Sequence, residues 1–459
     1  MLLSLRKDEW FGNIKNDMLG GIVTAIALIP EVIGFAIIAG INPITALFAS
    51  VSTAIVTSFT SGRPGMVSAA AGSMALIMVS IIKNHGIEYM IAATVLTGII
   101  QLVLGYLGIH KLMKFISKPV MLGFVNALAI LIFMAQIQQL VNVTTMTYVV
   151  VGVSILFMFF LPKIFKSIPP ALIVIILTTL ISMFSSINLQ TVGDLGDMTG
   201  SLPTFSIPTI PFTIETLLII LPVSLGLTMV GLIESLLTLP LVDDMTNTQG
   251  NSHREVKSQG LANIVTGFLG GPAGCAMIGQ SVINVKSGGK KRLSTLVAGL
   301  SLLLLIVFFK NTMIQIPTAA LIGIMITVSF ETFDWQSIKN IKQTDISDII
   351  IMMTTILIVV YTHNLAIGIF VGVFLNIILF TIEISKLTIN QNEATLEIKG
   401  ILFFVSSNYL IEYFKKIDLE TIDKIDFTDL KVFDETSKSV LDDVIKKIEH
   451  KKSTILIMK

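Results

Sequence analysis

Residues 62–73 read Gly-Arg-Pro-Gly-Met-Val-Ser-Ala-Ala-Ala-Gly-Ser, and residues 270–281, 208 positions later, read Gly-Gly-Pro-Ala-Gly-Cys-Ala-Met-Ile-Gly-Gln-Ser. At that single offset Gly62 matches Gly270, Pro64 matches Pro272 and Ser73 matches Ser281. Each copy breaks a helix at its front and permits one behind, inside a stretch too apolar for a water-exposed loop. Taken singly, either copy reads equally well as a Gly/Pro kink in a packed helix. Two copies in register favour a helix that begins partway through a membrane. Such an end exposes unpaired N–H groups and the positive end of the helix dipole, about +0.5 charge, where lipid offers no compensation. Something negative belongs there. Paired broken segments in corresponding positions of two halves are the best sequence pointer to a transporter's binding site.

Composition agrees with a membrane setting. Apolar residues make up 53% and charged residues 13%, with a mean hydropathy of +0.86, which places the chain among polytopic membrane proteins. The net charge of +1 gives a nucleic-acid partner no electrostatic support. The one cysteine, Cys275, excludes an intramolecular disulfide. No cleavable signal is expected, since residues 2–17 are mixed and charged and the first apolar run is too long for an h-region.

Working outward, residues 1–17 carry Trp10 and Phe11 among charges and predict a short interfacial helix. The uncharged run 32–62 taken together with residues 18–30 gives two spans joined near Asn42-Pro43, and the first broken segment then runs to about residue 82. Residues 90–107, two helices within 119–162 joined by a polar turn at 136–147, and residues 169–185 complete seven. Residues 187–211, which lack Lys and Arg, read as a long connecting loop. The second half repeats the events: residues 213–241, 260–269, the second broken segment to about 288, then 293–309, 314–330, 346–361 and 366–384. That predicts fourteen segments, seven plus seven.

The distribution of Lys and Arg supports the count. With the N-terminus cytoplasmic, seventeen fall inside, Lys114 and Lys166 among them, and only Lys83 and Lys310 fall outside. One miscounted segment inverts every later loop. An odd number of segments per half makes the repeats inverted. The expected localisation is the plasma membrane with both termini cytoplasmic. After Lys386 the pattern becomes that of a small α/β domain of about 70 residues, with strands over 394–399, 401–405, 424–427 and 454–458 and helices over 408–416 and 437–449.

With these residues in hand the chain resembles the SulP or sulfate-permease family of anion transporters (solute carrier family 26). The matching stretches are Asp17-Met18-Leu19-Gly20-Gly21 leading to Ile29-Pro30-Glu31, Ala39-Gly40-Ile41-Asn42-Pro43, Glu234-Ser235-Leu236-Leu237-Thr238, Gln259-Gly260-Leu261-Ala262-Asn263, and Asn284-Val285-Lys286-Ser287-Gly288-Gly289. The resemblance implies a 7+7 inverted repeat over residues 18–386 (about 18–186 and 212–386), divided into core and gate domains. It also implies elevator-like movement of the core, a homodimer, and a STAS domain over residues 387–459 open to a cytoplasmic partner. There are departures. Family members often carry Arg where this chain has Gln280, so an arginine anion clamp is missing. The tail stops before the family's last STAS helix, and Glu435 stands where related soluble STAS proteins have a phosphorylatable Ser.

Two carboxylates lie within apolar segments, Glu31 and Glu234, each costing about 2.5–3.5 kcal/mol or more if charged at mid-bilayer. Both are therefore expected to face a protein-lined cavity; the bland reading of either is a packed, hydrogen-bonded carboxyl. Glu31 shares a helix face with Phe35, and Glu234 shares one with Thr238. Ser68 and Ala69 are expected at the first half-helix start and Ala276 and Met277 at the second, with Phe35, Ser73, Gln280 and Ser281 nearby. Small residues there let backbone N–H groups approach an anion, although each alone is as readily a helix-packing residue.

The two helix ends together supply about +1, which two ionised carboxylates more than cancel. An anion is accommodated when at least one of them is neutralised by a proton or a cation. Burial disfavours the ionised form, which makes Glu31 the proton-coupling candidate. The resemblance gives Glu234 and Thr238 a second role, since they match positions that hold Na⁺ in sodium-coupled bicarbonate relatives. The expectation is a secondary active transporter of sulfate, bicarbonate or a small dicarboxylate, an H⁺ symporter or a Na⁺-coupled one. The alternatives are a nucleobase–cation symporter, an uncoupled channel or exchanger, and a membrane scaffold working through its STAS domain. Neither an enzyme nor a cofactor is expected: there is no nucleophile arrangement or metal cluster, and without a Walker motif no primary pump.

Overall fold

A computed structural model describes residues 3–109, 111, 116–164, 169–184, 189–195, 203–392, 394–452 and 454–458. Lys114, Lys166 and residues 196–202 of the expected connecting loop lie outside the described residues. The chain separates into two compact units, Met1–Gly372 and Val373–Lys459.

In the first unit the order is α1 (Lys7–Trp10), α2 (Ile14–Ala39), α3 (Pro43–Thr60), β1 (Ser68–Ala69), α4 (Gly72–His85), α5 (Ile87–Leu107), α6 (Lys118–Gln139), α7 (Thr145–Ile164) and α8 (Pro170–Phe184). It continues with α9 (Ile214–Thr246), α10 (Ser252–Phe268), β2 (Cys275–Ala276), α11 (Ile278–Lys286), α12 (Arg292–Ile314), α13 (Thr318–Thr332), α14 (Trp335–Lys339), α15 (Ile346–Thr362) and the start of α16 (Leu365–Ile384). Among the described residues eight helices are long and apolar enough to cross a membrane, and α8, α13 and α15 are shorter apolar helices.

Local chemistry sets the ends. Asn42 caps α3 by accepting from the Ile44 N–H, with Pro43 at the first helical position. Thr213 and Asn251 cap α9 and α10 in the same way. Gly40 ends α2 in the left-handed conformation. Inside α2, Pro30 has no N–H to offer the Ile26 carbonyl one turn earlier, next to Glu31.

Several expectations are corrected. Trp10 of the short α1 is packed against the protein: it is 7% exposed, its ring lies 4.8 Å from that of Phe59, and its Nε1 donates to Ser4 O at 2.8 Å. The span expected over 314–330 is displaced, because α12 runs to Ile314 and α13 starts at Thr318. The short α10 begins at Ser252, well before the expected 260. Asp243, near the end of α9, pairs with the buried Arg63 at 2.9 Å.

The second unit carries the rest of α16 and then β3 (Thr388–Asn392), β4 (Thr395–Leu402), α17 (Phe404–Lys416), β5 (Lys424–Asp426), β6 (Leu430–Val432), α18 (Glu435–Lys451) and β7 (Leu456–Met458). The sheet order is β3-β4-β5-β7 with β6 also on β4. β3 is antiparallel to β4, and the remaining pairs are parallel. Leu396, Ile398, Ile425, Leu410, Val444 and Ile448 form its core. The strand expected over 401–405 is cut short: β4 ends at Leu402 and α17 starts at Phe404. β3 and β6 are additions to the expected set.

Candidate functional site

The two copies of the repeated pattern meet. β1 and β2 pair antiparallel, with Ser68 opposite Ala276 and Ala69 opposite Cys275. Ser68 and Ala276 are equivalent positions of the pattern, 208 apart, so the pairing relates the copies by a local two-fold. Beyond the strands, Val67 accepts from the Met277 N–H at 3.0 Å and donates its own N–H to Ser281 Oγ at 3.0 Å.

This corrects where the broken helices start. Ser68, Ala69 and Ala276 are strand residues and Met277 is the residue before α11; the helices begin at Gly72 and Ile278. The physical reason is that an extended backbone buried at this depth satisfies its N–H and C=O groups only by pairing. The strands find each other, and side chains take what is left: Ala70 N–H donates to Ser50 Oγ at 3.1 Å and Ala276 N–H to Ser235 Oγ at 3.1 Å. The unpaired N–H groups therefore belong to the first turns of α4 and α11.

The expected residues divide. Phe35 lies against the start of α4, where a Cβ on Gly72 would run into its ring. Ser73, in the first turn of α4, donates its hydroxyl to Glu234 Oε2, and Cys275 of β2 donates its thiol to the same oxygen at 3.2 Å. Glu234 is thus held by one donor from each broken segment. Thr238 donates to the Glu234 carbonyl at 2.7 Å and to the Ala276 carbonyl at 3.3 Å. Gln280 is buried, with its side-chain amide against the Glu31 carboxyl. Glu234 is near enough to Glu31 for their charges to interact.

Ser68 and Ser281 take structural partners. Ser68 Oγ accepts from Gln259 Nε2 on α10 at 2.8 Å, and Ser281 Oγ serves the Val67 N–H. Cys275, Ser235, Gln259, Asn263 and Glu255 are functional neighbours that sequence reading missed. Cys275 sat inside the quoted pattern, and Gln259 and Asn263 inside a stretch quoted for its resemblance. Glu255 follows His253 and Arg254 in a stretch that reads as a solvated loop.

A family model described as the sulfate permease family matches residues 14–160 and 142–355. "Putative sulfate transporter YbaR" of Bacillus subtilis is 50% identical over 413 residues, 89% of this chain and 86% of that protein. "Bicarbonate transporter BicA" of Picosynechococcus is 28% identical over 412 residues, 82% of this chain and 72% of that protein. Among solved structures, the murine Slc26a9 anion transporter in the inward-facing state gives a TM-score of 0.85 at 16% identity, covering 99% of this chain and 87% of that one. The transmembrane domain of a cyanobacterial BicA gives 0.70 at 24% identity, covering 80% and 98%. These likenesses show the fold of a helical membrane transporter.

Proposed function

The chain belongs to the sulfate permease family, and from that premise we propose that it is a secondary active anion transporter whose substrate sits between the first turns of α4 and α11. One observation carries this reading: two helix N-termini, brought together by the β1–β2 pairing, stand beside the buried Glu234 and the partly buried Glu31. About +1 of dipole charge draws an oxyanion such as sulfate or bicarbonate. Glu31 takes up the coupling proton and Gln280 Nε2 donates to the anion.

We count α2–α8 as the first seven segments and α9–α13, α15 and α16 as the second seven. That puts α4 and α11 third in their halves and supports an inverted repeat that moves as an elevator-like core. A homodimer, cytoplasmic termini and a STAS role for the second unit complete the proposal.

A second reading makes Na⁺ the coupling ion. It is favoured by the grouping of Glu234, the Thr238 hydroxyl and the Ala276 carbonyl, hard oxygen donors of the kind such an ion takes. Both readings are tested by proteoliposome uptake of labelled sulfate, bicarbonate and fumarate under a pH gradient, a Na⁺ gradient or neither, in wild type and Glu31→Gln. Proton-driven uptake lost in the variant supports H⁺ symport. Na⁺-driven uptake that survives the variant supports the second reading, and gradient-independent uptake in both proteins rejects coupled transport.

A further inference from the structure

A two-residue ladder is a weak device for fixing register. It offers a handful of hydrogen bonds worth about 0.5–1.5 kcal/mol each, and short strands slip unless something outside holds them. Here the holding comes from one face of α10. Glu255, Gln259 and Asn263 are spaced four residues apart, lie on one side of the helix, and are fully buried.

Glu255 grips the approach to β1: its Oε2 accepts from Ser61 Oγ at 2.7 Å and from Gly62 N–H at 2.8 Å. Gln259 Nε2 spans from Glu255 Oε1 at 2.7 Å to Ser68 Oγ in β1 at 2.8 Å. Asn263 grips the other copy, accepting from Gly274 N–H at 2.8 Å and donating to Gly274 O at 3.1 Å. It is steadied from α5 by Gln101 Oε1 at 2.9 Å. The orientation of the Gln259 amide follows from Glu255. Turned over, it would set its oxygen against a carboxylate, so it keeps Nε2 there and leaves Oε1 buried without a partner among the described residues.

We propose that Glu255, Gln259 and Asn263 are positioning residues that set the register of β1 against β2, and with it the size of anion admitted. The inference rests on the anion lying at the ends of α4 and α11. Four residues of helix rise about 6 Å, so a single rigid element fixes the distance between the grip on β1 and the grip on β2. α4 begins three residues after Ala69 and α11 two residues after Ala276. Any slip of the strands is therefore passed directly to the two helix ends.

The test uses the full chain in proteoliposomes, with labelled sulfate or bicarbonate, whichever the wild type carries. Inhibition constants are measured for three monoanions of rising size, formate, bicarbonate and methanesulfonate, in wild type, Asn263→Ala and Gln259→Ala. The ratio of the methanesulfonate constant to the formate constant is expected to fall at least fivefold in both variants. All constants moving by one common factor, or a reduced maximal rate with unchanged ratios, makes the stripe merely structural and overturns the inference. If Asn263→Ala is not monodisperse, Gln259→Ala carries the same comparison, because it leaves both Gly274 contacts in place. A wild type that takes up none of these anions sinks the transport reading itself, a result distinct from unchanged ratios in an active protein.

Discussion

Replacing Gly274 with Ala tests whether the crossing of the two strands is what makes the site. A Cβ at Gly274 would lie 2.5 Å from the Ala69 carbonyl oxygen, 2.9 Å from its carbon and 3.3 Å from the Ala70 nitrogen. All three are backbone atoms, so no rotamer relieves the overlap. Carbon–oxygen contacts settle at about 3.3 Å, which requires β1 and β2 to part by about 0.8 Å. The Met277 N–H to Val67 O bond, 3.0 Å long, would then stretch beyond hydrogen-bonding range. Losing it together with part of the ladder costs about 2 kcal/mol at 0.5–1.5 kcal/mol per bond, or roughly 30-fold in anion affinity if the cost falls on the occupied state. Gly152→Ala in α7, away from the strands, is the control, since among the described residues nothing lies within 4 Å of a Cβ there. Proteoliposome uptake over a range of substrate concentrations should give Gly274→Ala a KM raised about 30-fold and Gly152→Ala a KM within twofold of wild type. Equal values for all three proteins would refute the reasoning.

Three further outcomes concern stability. Trp10→Ala removes a buried ring and its bond to Ser4, a loss of about 3–5 kcal/mol; a melting temperature in detergent lowered by under 2 °C contradicts it. The Glu9 carboxyl is opposed by partial burial, but the Ser4 hydroxyl and the Arg292 guanidinium prevail and hold it below its ordinary range. Its contribution is therefore present above the unfolded value near 4.3 and lost as pH falls through the lower folded value. Melting temperature should drop more steeply towards acid in wild type than in Glu9→Gln, and parallel curves reject the pairing. Ile425→Ala, in the centre of the α/β sheet core, should cost about 2–5 kcal/mol and open residues 388–458 to limited proteolysis, which unchanged protease resistance would rule out.

The broken segments were legible because Gly and Pro punctuate strongly, and because the two copies keep one offset that the structure then uses, pairing Ser68 with Ala276. The strands themselves were not legible. Val-Ser-Ala-Ala and Cys-Ala-Met carry neither alternation nor β-branched enrichment, and each finds its partner about 200 residues away, where no local pattern reports it. Asp243 and Glu255 were invisible for a related reason. Among charged neighbours a carboxylate reads as solvated, and only the fold brings Arg63 to the first and Ser61, Gly62 and Gln259 to the second. The packing of Trp10 was not legible because an aromatic among charges suits a membrane interface as well as it suits a packed corner.

The placement of positive charge leads to a last prediction. The buried arginines are engaged elsewhere: Arg292 donates to Ser58 O and Ser61 O and pairs with Glu9 at 2.5 Å, Arg63 pairs with Asp243, and the partly exposed Arg254 donates to Thr60 O and Phe59 O. At the proposed anion site the positive potential is that of two helix ends, about +1, against the carboxyls of Glu31 and Glu234, with Glu331 of α13 also near enough to Glu31 for their charges to interact. The first two carboxylates alone leave a net of about −1 before any anion enters, so entry requires a proton or a cation. Gln280→Arg places a full positive charge beside Glu31, the carboxyl that the Gln280 amide now adjoins. The net then approaches zero with both carboxylates ionised, and the proton is no longer needed. Uptake by this variant should persist without an inward proton gradient and lose whatever dependence on external pH the wild type shows. The same dependence on the proton gradient in Gln280→Arg and wild type would mean that Glu31 is not the group whose charge limits anion entry.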